Sequence, residues 1–224
     1  MDGALEAVQS HVVIDPGYSV DLGQLAGAAF LDDRTVMVLS ENKSFVVLES
    51  RGPEEDRDDY RYFLETSGDL AELRRSRLAS LRARMHYVMS LGYGADADSL
   101  FTIGVPNRRH QALVVSRFDG QDLQLSEEFL PRLAAGSGLA LRADDRSLDE
   151  LFVTGIAVEG EWLYALSAAY STLLVIDLAG KEVIEAYAIE DLDQPTALAL
   201  RGSELYVVGS DGTVSIVDRP APTD

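Results

Sequence analysis

Short apolar runs recur along the chain, separated by polar clusters rich in Gly, Asp, Ser and Asn, which is the pattern of β-strands joined by tight turns. Two stretches near the C-terminus can be laid one on the other: Thr154–Ser167 (TGIAVEGEWLYALS) and Thr196–Gly209 (TALALRGSELYVVG). Thr154/Thr196, Ala157/Ala199, Gly160/Gly202, Leu163/Leu205 and Tyr164/Tyr206 all differ by 42. Each copy continues through a polar turn into a third apolar run, Leu173–Asp177 (LLVID) or Val214–Asp218 (VSIVD). In the first copy a fourth segment follows Ala179-Gly180-Lys181, and its alternating pattern, Glu182–Ile189 (EVIEAYAI), suits a half-exposed outer strand. Four antiparallel strands repeated at a period near ~40–45 residues make a blade of a β-propeller.

Two earlier stretches fit the same template with wider spacing. Gly27–Ser40 leads through Glu41-Asn42-Lys43 into Ser44–Glu49. His86–Gly92 leads through Asp96-Ala97-Asp98 into Ser99–Ile103, then Gln111–Phe118 and a hairpin turn at Asp119-Gly120. Leu39, Ile103 and Leu166 mark matching places 64 and 63 residues apart, so about 20 residues are added per interval relative to the 42-residue period. The expected fold is therefore all-β, a β-propeller-like array of four-stranded blades spanning 1–224 as one domain. Four blades read directly. A fifth within 120–150, where Gly138–Arg142 reads as a strand, would make five. The last copy stops before a fourth strand, and the run Ser10–Asp15 (SHVVID) is expected to complete that blade and close the ring.

One segment departs from the strand pattern. After the charged loop 51–59, Tyr60–Leu64 reads as an outer strand, and Leu70, Leu73, Leu78, Leu81 and Met85 then recur at helical spacing with Ser67 or Asp69 as N-cap. This predicts a helical insertion near 68–85 within 51–85. It carries Arg74, Arg75, Arg77, Arg82 and Arg84, five of only 19 basic residues. These arginines either present a basic surface to an acidic partner or simply solvate a helix face.

Composition narrows the partners. With 38 acidic against 19 basic side chains the formal charge is −19, a field that repels nucleic acid and anionic lipid. Cysteine is absent, which excludes disulfides, thiolate nucleophiles and Cys-ligated zinc. No apolar run reaches the ~20 residues of a membrane-spanning helix, and Met1–Glu6 lacks the basic and apolar regions of a signal peptide. His11, His86 and His110 have no partner at metal-site spacing. Asp96/Asp98 and Ser210-Asp211-Gly212 lie where hairpins must turn, so turn chemistry accounts for them better than calcium does. Trp162 reads as packing between blades. No nucleotide-binding, hydrolase or kinase motif occurs, so no catalytic residue is predicted. Binding residues are expected on inter-strand loops: Asn42 and Lys43, then Asn107, Arg108, Arg109 and His110, and Tyr170 with Ser171.

The best copy, Leu163–Val183, has an apolar-Tyr strand, a Ser-containing turn, a strand ending in Asp and then Gly-Lys. Over about 151–218, with a weaker echo at 25–50, it resembles the blades of YncE-like (YVTN) and SdiA-regulated-like bacterial propellers; NHL and quinoprotein-type repeats share similar spacing. The resemblance implies a bacterial binding or scaffold propeller and favours the periplasm, where many members reside; a cytoplasmic location is the alternative. A minority of such propellers are lactonases with a divalent cation in the central channel, which gives a metal-dependent hydrolase as the alternative. The soluble sensor domain of a membrane-anchored protein is the third. The leading expectation is a non-enzymatic propeller without a cofactor, engaging a protein partner through its loops or the arginine-rich segment.

Overall fold

The computed structural model describes residues 22–50, 70–79, 87–105, 113–135, 148–189 and 194–221. They form four antiparallel sheets. The first comprises β1 (Leu25–Phe30), β2 (Thr35–Ser40), β3 (Ser44–Ser50) and β4 (Leu70–Arg77). The second comprises β5 (Tyr87–Gly94), β6 (Ser99–Val105), β7 (Val114–Asp119) and β8 (Leu125–Phe129). After β9 (Arg132–Leu133) come β10 (Val153–Glu159), β11 (Trp162–Ser167), β12 (Thr172–Asp177) and β13 (Glu182–Ala188), then β14 (Pro195–Arg201), β15 (Glu204–Gly209) and β16 (Val214–Asp218). Strands pair in chain order within each sheet, except that β9 runs parallel to β13 and ties the end of the second wedge to the outer edge of the third.

The wedges stand side by side through their first strands, in the order β1, β5, β10, β14. Each of these strands has a bulge at the same place, where the register with the second strand skips Ala26, Met89, Thr154 or Thr196. The residue after the bulge meets the neighbouring wedge's backbone. A Cβ at Gly27 would stand 2.8 Å from the Leu91 nitrogen, and one at Gly155 would stand 2.6 Å from the Leu198 nitrogen. At the middle joint Ser90 holds this place, and its Oγ accepts a hydrogen bond from the Ile156 N–H at 3.0 Å.

The cores lie in the joints. Met37, Leu39, Phe45 and Val47 pack on Leu91, Leu100 and Phe118 between the first and second wedges. Phe101, Ile103 and Val115 pack on Ile156, Val158, Leu163 and Leu174 at the next joint. Tyr164, Leu166 and Val175 pack on Leu198, Leu205 and Val207 at the third. Along β11 the alternation sends Leu163 to one joint and Tyr164 to the other, which is why two-residue periodicity gives way to continuous apolar runs in strands buried on both faces. Each such side chain contributes about 1.5–3 kcal/mol by leaving water.

Leu39, Ile103 and Leu166 occupy equivalent places, opposite Gly27, Ser90 and Gly155. The added length falls in the connections 51–69 and 136–147, outside the described residues. Gly138–Arg142, Tyr60–Leu64 and Ser10–Asp15 likewise lie outside them, and the described residues show four wedges, the last with three strands. The expected helix is corrected: residues 70–77 are strand β4, and 80–86 fall outside the described residues. The cause is tertiary. Strand β3 offers a free edge, and β4 satisfies its backbone groups from Ser44/Arg77 to Ser50/Leu70, a gain that outweighs local helical spacing.

The joints set a testable limit on the small residues. Gly155→Ala should lower stability by about 1–3 kcal/mol, because the new methyl meets backbone at the third joint. Ala197 occupies the same place in the fourth wedge and is exposed. Ala197→Gly should therefore cost only the ~0.5–1 kcal/mol of added chain freedom. Urea midpoints of the two variants measure the contrast.

Candidate binding surface

In each wedge the turn between the second and third strands lies at one end, and the turns between first and second and between third and fourth lie at the other. Because the same joint repeats along the array, the second-to-third turns share one end of the molecule. That end carries Glu41–Lys43, Ala168–Ser171 and Ser210–Thr213. Asn107, Arg108, Arg109 and His110 fall in the link 106–112 between the second and third strands of the second wedge and lie outside the described residues.

Each described turn contains a left-handed residue: Lys43 at φ 69°, Ser171 at φ 45° and Gly212 at φ 84°. Local hydrogen bonds hold these conformations. The Asn42 Oδ1 accepts from the Ser44 N–H at 2.8 Å and from the Ser40 hydroxyl. The Asp211 carboxylate accepts from the Thr213 N–H at 2.9 Å and from its hydroxyl at 2.6 Å, which draws its pKa below the usual carboxylate value. The turn role expected for Ser210–Gly212 is thus what the geometry shows. Tyr170 packs its ring beside the middle core and lends its carbonyl to the Thr172 hydroxyl at 2.9 Å. Ser167 differs from Ser40, since its buried Oγ has no hydrogen-bond partner among the described residues.

The arginines of the 70–84 segment are separated by the strand geometry. Arg74 lies over the Phe45 ring at 5.7 Å and donates to the Asp122 carbonyl at 3.0 Å, spanning two wedges. Arg75 pairs with Glu72 at 2.8 Å on the outward face of the first wedge, where both side chains are largely buried. Arg77 reaches the Ser44 hydroxyl at 3.4 Å, near the turn end. The continuous basic helix face expected there does not exist, because a strand with a bulge distributes these side chains to different surroundings. Arg82 and Arg84 lie outside the described residues.

Lys43 is a turn residue by sequence, yet its side chain is only 8% exposed. Burial, and then the nearby Arg77, press its ammonium pKa below 10.5, while Glu128 from the second wedge opposes that fall. Glu128 also accepts from the Ser116 hydroxyl at 3.0 Å. The charge coupling of Lys43, Arg77 and Glu128 has no signal in the sequence, since its members are far apart in the chain.

The other end of the second wedge has an open cavity of about 290 Å³, lined by Ala97, Ser99, Arg117, Asp119, Ser126 and Glu127. Its polar groups serve one another: Arg117 donates to the Ser99 hydroxyl at 3.0 Å, and that hydroxyl donates to the Ala97 carbonyl at 2.8 Å. Asp98 stands beside it at φ 39°, accepting from the Tyr93 hydroxyl at 2.8 Å, and its carbonyl accepts from the Gly120 N–H at 2.8 Å. Asp98 therefore ties two turns together. Trp162 packs between the third and fourth wedges.

No protein-family model and no curated protein matches this chain. Solved structures do. U3-55K matches with a TM-score of 0.50 at 18% identity, over 86% of this chain and 48% of that one. The WD40 repeats of RRP9 match with a TM-score of 0.50 at 18% identity, over 86% of this chain and 47% of that one. The chain thus spans about half the length of these two structures, and the likeness shows a β-propeller fold.

The buried ammonium of Lys43, with Arg77 nearby, makes Glu128 testable. Glu128→Gln removes the charge that offsets the repulsion of Lys43 by Arg77, and should lower stability at pH 7 by about 1–3 kcal/mol. A base whose folded pKa is depressed penalises the fold while it is charged, and the penalty fades as pH rises from that folded value toward 10.5. The deficit of the variant, read from denaturation midpoints between pH 7 and 10.5, should therefore shrink as pH rises.

Proposed function

We propose that this protein is a non-enzymatic scaffold that binds a protein partner across the end formed by the second-to-third-strand turns. The observation that carries this reading is the gathering of those turns on one end of a rigid array, with left-handed residues pinning each described turn. Loops fixed in this way present side chains at little ordering cost on binding. Tyr170, with Asn107, Arg108, Arg109 and His110 on the adjoining link, would supply the contacts. The WD40-like fold supports the reading at the level of architecture, and the YncE-like pattern over 151–218 adds a bacterial propeller as its narrower form. Among the described residues no helix is long and apolar enough to cross a membrane. Among them also, no three His, Asp or Glu side chains gather as a metal-ligand set, so no specific observation favours the hydrolase reading.

A triple variant, Asn107→Ala, His110→Ala and Tyr170→Ser, should abolish cross-linked capture of the partner from cell extract. Asp33→Ala with Glu161→Ala, at the opposite end, should leave capture unchanged. Equal capture by the native protein and both variants would overturn the assignment of the turn end.

A further inference from the structure

The three internal joints have one construction, and the two ends of the array expose the first-strand parts of its separate halves. On the leading face of each first strand, two residues point at the preceding wedge: Leu91 and Tyr93, Ile156 and Val158, Leu198 and Leu200. Leu91, Ile156 and Leu198 are buried there, and Val158 is 9% exposed. The same places in the first wedge are Ala28 and Phe30, and Phe30 is 73% exposed. On the trailing face, a small residue meets the next wedge: Ala29, Gly92 and Ala157, with Ala29 and Ala157 buried. The same place in the fourth wedge is Ala199, exposed, beside exposed Ala197 and Ile216, the last 56% exposed.

Size is matched across the joints. At the middle joint a Cβ on Gly92 would come within 3.3 Å of both Ile156 and Val158, so the large side chains of one wedge fill the space left by the small residue of the other. The open ends repeat this relation, with Phe30 large on one and Ala199 small on the other. Leu22 already covers Val46 and Leu48 on the outer half of the first wedge's face, so what stays open is the inner half, where the internal joints set first strand against first strand. β14 and β1 do not form this joint with each other.

We propose that the trailing face of the fourth wedge docks on the leading face of the first wedge of a second copy of this chain, and that two copies close head to tail into a ring of eight wedges. The first-strand parts of both halves of the joint are present on one chain, and the contact continues the inner portion of an interface that the molecule already uses three times. Eight wedges lie within the ~4–8 that propellers adopt. A head-to-tail contact in a closed pair uses each open face once and leaves no apolar end in water.

Sedimentation equilibrium of the full chain at about 0.15 M salt, where the repulsion between two acidic copies is screened, tests this. The expected species has twice the 24.4 kDa of one chain. Phe30→Glu and Ala199→Arg each alter an exposed side chain, and circular dichroism should show both variants folded. Each alone should be monomeric. Mixing them should restore the dimer, because the mixture holds one unaltered joint and one in which the introduced carboxylate faces the introduced guanidinium. A wild-type monomer, which would leave the faces to further wedges or another protein, overturns the proposal. So does a dimer that survives both substitutions, a mixture that stays monomeric, or assembly beyond two copies.

Discussion

Everything in this fold depends on how closely one first strand approaches the next. At Gly27 and Gly155 the neighbouring backbone nitrogen stands where a methyl group would need to be, and at Ser90 a hydroxyl uses the same closeness to accept an N–H. The bulge that skips Ala26, Met89, Thr154 and Thr196 turns these residues toward the neighbour. Once the first strands are set, the apolar faces of the second and third strands fall into register across the joint. Stability is then nearly a sum over neighbouring wedges.

Much of this was legible in the amino-acid sequence. Thr154 and Thr196, the first matched pair of the 42-residue repeat, are the bulged residues themselves, and Leu39, Ile103 and Leu166 fall at one structural position despite the irregular spacing. The repeat is visible because every wedge must solve the same packing problem. The strand at 70–77 was not legible. Its leucines at helical spacing met a local rule, while the force that decided the matter was the unpaired edge of β3, which no short window contains.

The candidate surface was legible in part, for the same reason. Turns announce themselves locally, so Asn42, Lys43, Tyr170 and Ser171 could be placed on inter-strand loops. What could not be foreseen is that Lys43 is buried and feels the charge of Glu128 in the next wedge, or that Arg74 lies over Phe45 and reaches across to Asp122. These contacts join strands that are distant in the chain, and the intervals separating their members carry no periodicity.

The fate of the basic side chains also decides what a partner would meet. Arg74 and Arg117 lie over phenylalanine rings, Arg75 and Arg132 pair with Glu72 and Glu182, Lys181 pairs with Glu127, and Lys43 is buried. Arg74, Arg132 and Lys181 link one wedge to the next, Arg75 and Arg117 are engaged within their own wedges, and the chain as a whole carries a formal charge of −19. An electrostatic footprint for nucleic acid needs basic groups clustered and free on one face. Here Arg74, Arg75, Arg117, Arg132 and Lys181 are distributed over different joints and edges, so among the described residues they form no single basic face.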